Sequence, residues 1–208
     1  LKSDFYNNFA IDTFNSSLLF LNTSGELYSI DYVSQKIKWI LNFKNKSFSG
    51  DVDLFLSQPL VLKNNNLIIS TEKALLNYDS TSGSKNWSFP SDSTLKPVAT
   101  NNYIYIFSKK NLLICIDNKS GEVLWSRNIY TNQKIRKMNK KIGKFHELKI
   151  VNSMLNIFSN KGYLLSFNHK NGDLEFIKRI SKNGINSEVV FHKDNMFLID
   201  TNKKLLKF

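Results

Sequence analysis

A chain of 208 residues that is 41% hydrophobic and 13% aromatic has the composition of a globular domain with a sizeable core, which excludes a disordered segment. No apolar run reaches the length of a membrane span, and the first residues lack the charged-then-apolar pattern of an export signal, so no transmembrane segment is expected in residues 1–208. The formal charge of +12 would suit a polyanion only if it were clustered, whereas the lysines are spread along the chain among abundant Asn and Ile, as AT-rich coding produces. The chain begins with Leu and stops inside a strand-like pattern, so it is expected to be a piece of a longer one.

In chain order, the first apolar run is residues 18–21, followed by a polar turn at 22–25 and a second run at 27–30 that abuts Asp31. The same order recurs four times. Runs at 67–69 and 75–78 flank the turn 70–73 and lead to Asp79; runs at 103–107 and 113–116 flank 108–111 and lead to Asp117. Runs at 154–158 and 164–167 flank 159–162 and lead to Asn168, and runs at 189–191 and 196–199 flank 192–194 and lead to Asp200. These are strand lengths bounded by turn residues, so each unit is expected to be a meander of short antiparallel strands.

The positions after each anchoring residue repeat as well, in the order Asp, three residues, Gly, three residues, Trp. Asp79, Gly83 and Trp87 fit without a gap, as do Asp117, Gly121 and Trp125. Asp31, Gln35 and Trp39 fit with Gln for Gly; Asn168, Gly172 and Phe176 fit with Asn for Asp and Phe for Trp; Asp200, Lys204 and Phe208 are the weakest copy. Asp or Asn can bond its own turn backbone, and Gly accepts the positive φ of a tight loop at no steric cost. Four residues on, the aromatic falls on the next strand, where it is expected to be buried against the neighbouring unit. The anchors are separated by 48, 38, 51 and 32 residues, a mean near 42. That is the period of four-stranded propeller blades, whereas helical solenoids would show a 3.6-residue periodicity that is not found beyond single turns.

The remaining chemistry-bearing residues are few. Cys115 stands alone inside an apolar run, so it reads as a small buried hydrophobe and excludes an internal disulfide. His146, His169 and His192 lie 23 residues apart each time, without the short spacing of a metal motif. Two stretches exceed the repeat. One, residues 131–144, carries Lys134, Arg136, Lys137, Lys140, Lys141 and Lys144 in an inter-blade connection and reads either as a solvated loop or as a candidate partner-binding loop. It lacks the interleaved aromatics of a nucleic-acid binder, so no nucleic-acid partner is expected. The other, residues 44–57, includes Val52, Leu54, Phe55 and Leu56 and reads as an extra strand or an exposed contact.

The Asp, Gly, Trp spacing, with Leu-Tyr-Ser-Ile-Asp or Leu-Ile-Cys-Ile-Asp ahead of it, resembles the pyrroloquinoline-quinone (PQQ) repeat and its tryptophan-docking motif over about residues 10 to 208. The resemblance implies an all-β propeller of four-stranded antiparallel blades, with about five repeats belonging to a seven- or eight-bladed ring and residues 1–208 forming one propeller domain. Two functions are open under it. One is a non-catalytic, cofactor-free scaffold of the BamB type, periplasmic and outer-membrane-associated, binding a protein partner such as a β-barrel assembly subunit. The other is a fragment of a PQQ-dependent dehydrogenase of alcohols or sugars. The family's dehydrogenases use carboxylates around calcium and often adjacent cysteines; here the acids mostly sit at turns and one Cys is present, so the scaffold is the expected reading.

Overall fold

A computed structural model describes residues 8–43 and 55–208. The first sheet is a meander of β1 (Asn8–Asp12), β2 (Ser17–Leu21), β3 (Glu26–Asp31) and β4 (Lys36–Asn42). The second repeats it with β5 (Val61–Lys63), β6 (Asn66–Ser70), β7 (Ala74–Asp79) and β8 (Lys85–Pro90), and the third with β9 (Val98–Ala99), β10 (Tyr103–Phe107), β11 (Leu112–Asp117) and β12 (Val123–Asn128). After a 3-10 turn (Ile129–Thr131) and a helix, α1 (Gln133–Ile142), the fourth sheet comprises β13 (Phe145–Val151), β14 (Met154–Ser159), β15 (Tyr163–Asn168) and β16 (Leu174–Arg179). The fifth has three strands, β17 (Val190–His192), β18 (Asn195–Ile199) and β19 (Leu205–Lys207).

The chain divides into two compact units, residues 1–104 with 116–122, and residues 105–115 with 123–208. In the first unit the core is built from Leu19, Leu27, Leu67 and Ile69, so the second and third strands of one sheet face those of the next. In the second unit Phe158, Ile180, Ile185, Val189 and Leu198 fill the same role. Burial explains the short unbroken apolar runs: β6 and β14 are buried on nearly every residue, as strands covered on both faces must be. The fourth strands, by contrast, are largely exposed, and their one inward aromatic carries the contact.

Three expectations are corrected. The stretch 131–144 is not a loop but holds the ten-residue helix α1. Its apolar face is Ile135, Met138 and Ile142, at i, i+3 and i+7; both isoleucines are fully buried, and the surrounding lysines masked that face in the sequence. Asn132 caps the N-terminus by accepting from the N–H groups of Lys134 and Ile135, and Gly143, at φ 77°, ends the helix.

The fifth copy of the motif lies one strand out of phase. Lys193 and Asp194 form the tight first turn of the fifth sheet, as Asn152 and Ser153 do in the fourth. Asp200 and Lys204 therefore belong to the second-to-third-strand turn, matching residues 160–162, and not to the third-to-fourth-strand turn of Asp31, Asp79, Asp117 and Asn168. This difference of one hairpin accounts for the short interval of 32. Phe208 follows a third strand, exchanging backbone hydrogen bonds with Met196, and is 44% exposed.

The third correction is Phe176, which is 43% exposed and not buried. The turn that would cover it is the third-to-fourth-strand turn of the fifth sheet, and the described residues contain none. Of the second long stretch, Val52 and Leu54 lie outside the described residues. Phe55 stacks on Phe43 with ring centroids 5.5 Å apart, Leu56 is exposed, and Ser57 bridges to Thr71.

Candidate functional site

The recurring turns position the other side chains of the blades. The Asp31 carboxylate accepts from the N–H groups of Val33 and Ser34, Asp79 from Thr81 and Ser82, and Asp117 from Lys119 and Ser120. Asn168 does the same for Lys170 with an uncharged oxygen. These donors hold the Asp117 carboxyl below the usual aspartate range, the Ser120 N–H foremost, and those of Ser34 and Val33 do likewise for Asp31.

Over each glycine turn lies the tryptophan of the preceding sheet. A Cβ placed on Gly121 would come within 2.7 Å of the Trp87 ring, on Gly83 within 2.9 Å of Trp39, and on Gly172 within 2.6 Å of Trp125. The glycine thus satisfies two demands at once, a left-handed φ and a bare face for the indole. Gln35, at φ 58° and exposed, meets only the first, which is how glutamine is accommodated there. Trp39 donates from Nε1 to the carbonyl of Thr81 at 3.1 Å, and Trp87 to that of Asn118 at 3.0 Å. Trp125 differs: its Nε1 is buried without a hydrogen-bond partner among the described residues. Arg127 holds that turn instead, donating from Nε to the carbonyl of Asn171 at 3.1 Å. Trp87 is buried, and Trp39 and Trp125 are partly so.

Around Trp87 the lock is polar as well. Asn77 donates to the carbonyl and the side-chain oxygen of Asn118, and Asn118 donates in turn to the carbonyls of Thr100 and Asn101. Both asparagines are buried, and every one of these bonds closes on backbone or amide, so the network reads as structural. Sequence reasoning missed these asparagines because they pair with each other across about forty residues of chain.

The basic residues are assembled by α1. Lys134, Arg136, Lys137, Lys140 and Lys141 are all exposed, and the helix bears no acidic residue. Lys144 lies just beyond Gly143, tied to the next sheet by its N–H donating to Asn160 Oδ1 at 3.0 Å while its carbonyl accepts from the Asn160 N–H. Lys140 and Lys141 stand where a helix C-terminus favours cations, but Lys134 and Lys137 share a face with Lys141 at repulsive spacing. The helix itself offers a positive surface with nothing on it to neutralise it. Cys115 is buried, and among the described residues no group of three His, Cys, Asp or Glu side chains is placed to hold a metal ion. No described helix is long and apolar enough to cross a membrane.

Successive four-stranded antiparallel meanders, with tryptophans docked under the glycine turns of the next sheet, define a β-propeller of the tryptophan-docked, PQQ-repeat type. The chain belongs to the family of the outer membrane protein assembly factor BamB, whose model matches residues 10–208. No curated protein matches it in sequence. Among solved structures it is similar to BamB from Moraxella catarrhalis, at 17% identity and a TM-score of 0.64 over 96% of this chain and 56% of that one. It is also similar to the Pan2 WD40 domain from Neurospora crassa, at 13% identity and a TM-score of 0.64 over 97% of this chain and 60% of that one. The chain therefore spans somewhat more than half the length of these propellers.

Proposed function

We propose that this chain is a non-catalytic protein-binding scaffold that serves the assembly of β-barrel proteins into the outer membrane from the periplasmic side. The observation that supports it most is membership of the BamB family over nearly the whole chain. The blades supply rigid hairpins locked by Trp39, Trp87 and Trp125, and a rigid frame is what a binding surface needs to avoid ordering costs on association. On that frame α1 presents Lys134, Arg136, Lys137, Lys140 and Lys141, with Lys144 beside it, to an acidic face of a barrel-assembly subunit. Such complementarity acts mainly on the association rate and is screened by salt over about 10 Å at 0.1 M.

The test is the association rate between the chain and the barrel-forming subunit, measured by biolayer interferometry over a salt series. Reversing Lys134, Arg136 and Lys137 to Glu is expected to slow association about tenfold at low salt and to flatten the salt dependence. Unchanged kinetics would remove α1 from the interface, and failure of the native chain to bind the subunit at all would overturn the assembly role.

A further inference from the structure

At the C-terminal end of α1, three backbone segments meet around a cavity of about 470 Å³. Lys141 comes from the helix, Lys161 from the β14–β15 turn, Arg179 from β16 and Lys182 from the loop after it. Four cations line the cavity and no carboxylate does. The walls are drawn together through glycines at positive φ. A Cβ on Gly143 would lie 2.5 Å from Asn160 Oδ1, one on Gly162 2.2 Å from the Ser181 carbonyl oxygen, and one on Gly184 2.4 Å from the Asn160 carbonyl oxygen. Packing of this closeness, backbone against backbone at Gly162 and Gly184, builds a shaped wall, which scattered surface lysines do not have.

Two of the cations are held in place. Arg179 donates from Nε to the Ser181 carbonyl at 3.2 Å and from Nη2 to the Lys182 carbonyl at 2.8 Å, with its guanidinium 5.7 Å from the centroid of the buried Tyr163 ring. Five N–H donors in a rigid fork leave others for a ligand. Lys161 donates from Nζ to the Lys140 carbonyl at 2.9 Å, fixing its charge at the helix end. Neither Lys141 nor Lys182 has an ion-pair partner among the described residues. The Asp200 carboxylate is reached only through Asn183, whose amide donates to Oδ2 at 2.8 Å, while Oδ1 accepts from the Lys204 N–H.

We propose that this pocket binds a phosphate ester group. One carboxylate would leave most of the positive charge uncompensated, whereas a phosphate monoester carries close to two negative charges and three terminal oxygens, and a planar guanidinium meets two of those oxygens at once. The cavity admits a group larger than a single carboxylate. Of the α1 cations the pocket takes only Lys141, and its other three come from β16 and the adjoining turn and loop, so its test does not depend on the scaffold reading.

The test is calorimetric titration of the purified chain with inorganic pyrophosphate, beside citrate as a carboxylate control of comparable charge. Sedimentation with phosphatidylcholine vesicles containing phosphatidic acid covers the lipid source. Lys141→Ala with Lys182→Ala is expected to weaken pyrophosphate binding at least tenfold without moving the melting temperature, since both side chains are exposed. Arg179→Lys, which keeps the charge and removes the fork, is expected to weaken it too, while the Lys134, Arg136 and Lys137 reversals leave it within about twofold. Vesicle binding displaced by pyrophosphate would assign a lipid headgroup, and pyrophosphate binding without vesicle binding a soluble ester; either supports the site. Citrate binding as tightly as pyrophosphate, no heat with pyrophosphate, or equal affinity in the double variant would overturn it.

Discussion

Trp87 shows what one residue can carry in this protein. Its ring is buried over Gly121, and its N–H is taken up by the Asn118 carbonyl, so truncation removes both a large apolar contact and a buried hydrogen bond. Trp87→Ala is expected to cost about 3 to 5 kcal/mol of unfolding free energy, read as a lower denaturation midpoint in urea. Phe176→Ala, at an equivalent strand position but 43% exposed, is expected to cost about 1 to 2 kcal/mol, because nearly half of its surface stays in water. Equal losses at the two positions would contradict the coverage of Trp87 by the following turn. Gly121→Ala belongs to the same prediction: the added methyl would meet the indole at 2.7 Å on a backbone at φ 77°, so it should destabilise more than a surface glycine replacement does.

At the scale of the element, the turns and the helix behave differently. The Asp turns hold their carboxylates ionised by backbone N–H donors, the Ser120 N–H leading at Asp117 and the Ser34 N–H at Asp31. A carboxyl with a depressed folded pKa adds stability above its unfolded value, and that stability is lost as pH falls through the folded value. Stability is therefore expected to drop between about pH 5 and about pH 2, and Asp117→Asn to lessen the drop, as measured by urea midpoints across that range. Asn168 already makes the corresponding turn with an uncharged oxygen, so the anchor position of the fourth turn carries no carboxylate to titrate. For α1 the anchor is apolar. Ile142 is fully buried, and Ile142→Ala is expected to cost about 2 to 5 kcal/mol with loss of hydrogen-exchange protection over residues 133–142. Intact protection there would mean that the helix is held by its caps alone.

For the molecule as a whole, the two open functions differ in a ligand. A scaffold needs no quinone, and at each of three separate Asp turns one carboxylate oxygen, Oδ1, is taken up by backbone N–H groups. Titration of the chain with PQQ and calcium is expected to give no heat of binding, and micromolar or tighter binding would return the dehydrogenase. Binding to an acidic partner, in contrast, is expected to weaken steadily as salt rises, because the cations of α1 are exposed and screened by ions.

The strand-and-turn order was legible in the sequence because a hairpin is local: Asp79 bonds Thr81 and Ser82, and Gly83 turns the chain, all within five residues. The family resemblance rests on that local chemistry. Phase was not legible where the motif thinned. Asp200 and Lys204 keep the spacing of an anchor turn while occupying a different one, and only strand pairing tells the two apart. The helix α1 was hidden for a related reason, since three apolar residues among five cations make a face only once the fold buries them, as it does Ile135 and Ile142. What tertiary structure alone decided are the contacts between distant residues: Trp87 over Gly121, Asn77 with Asn118, and the pocket of Lys141, Lys161, Arg179 and Lys182. Each joins groups from different sheets or from a helix and a sheet, and the distance between such groups is set by packing, which no periodicity along the chain encodes.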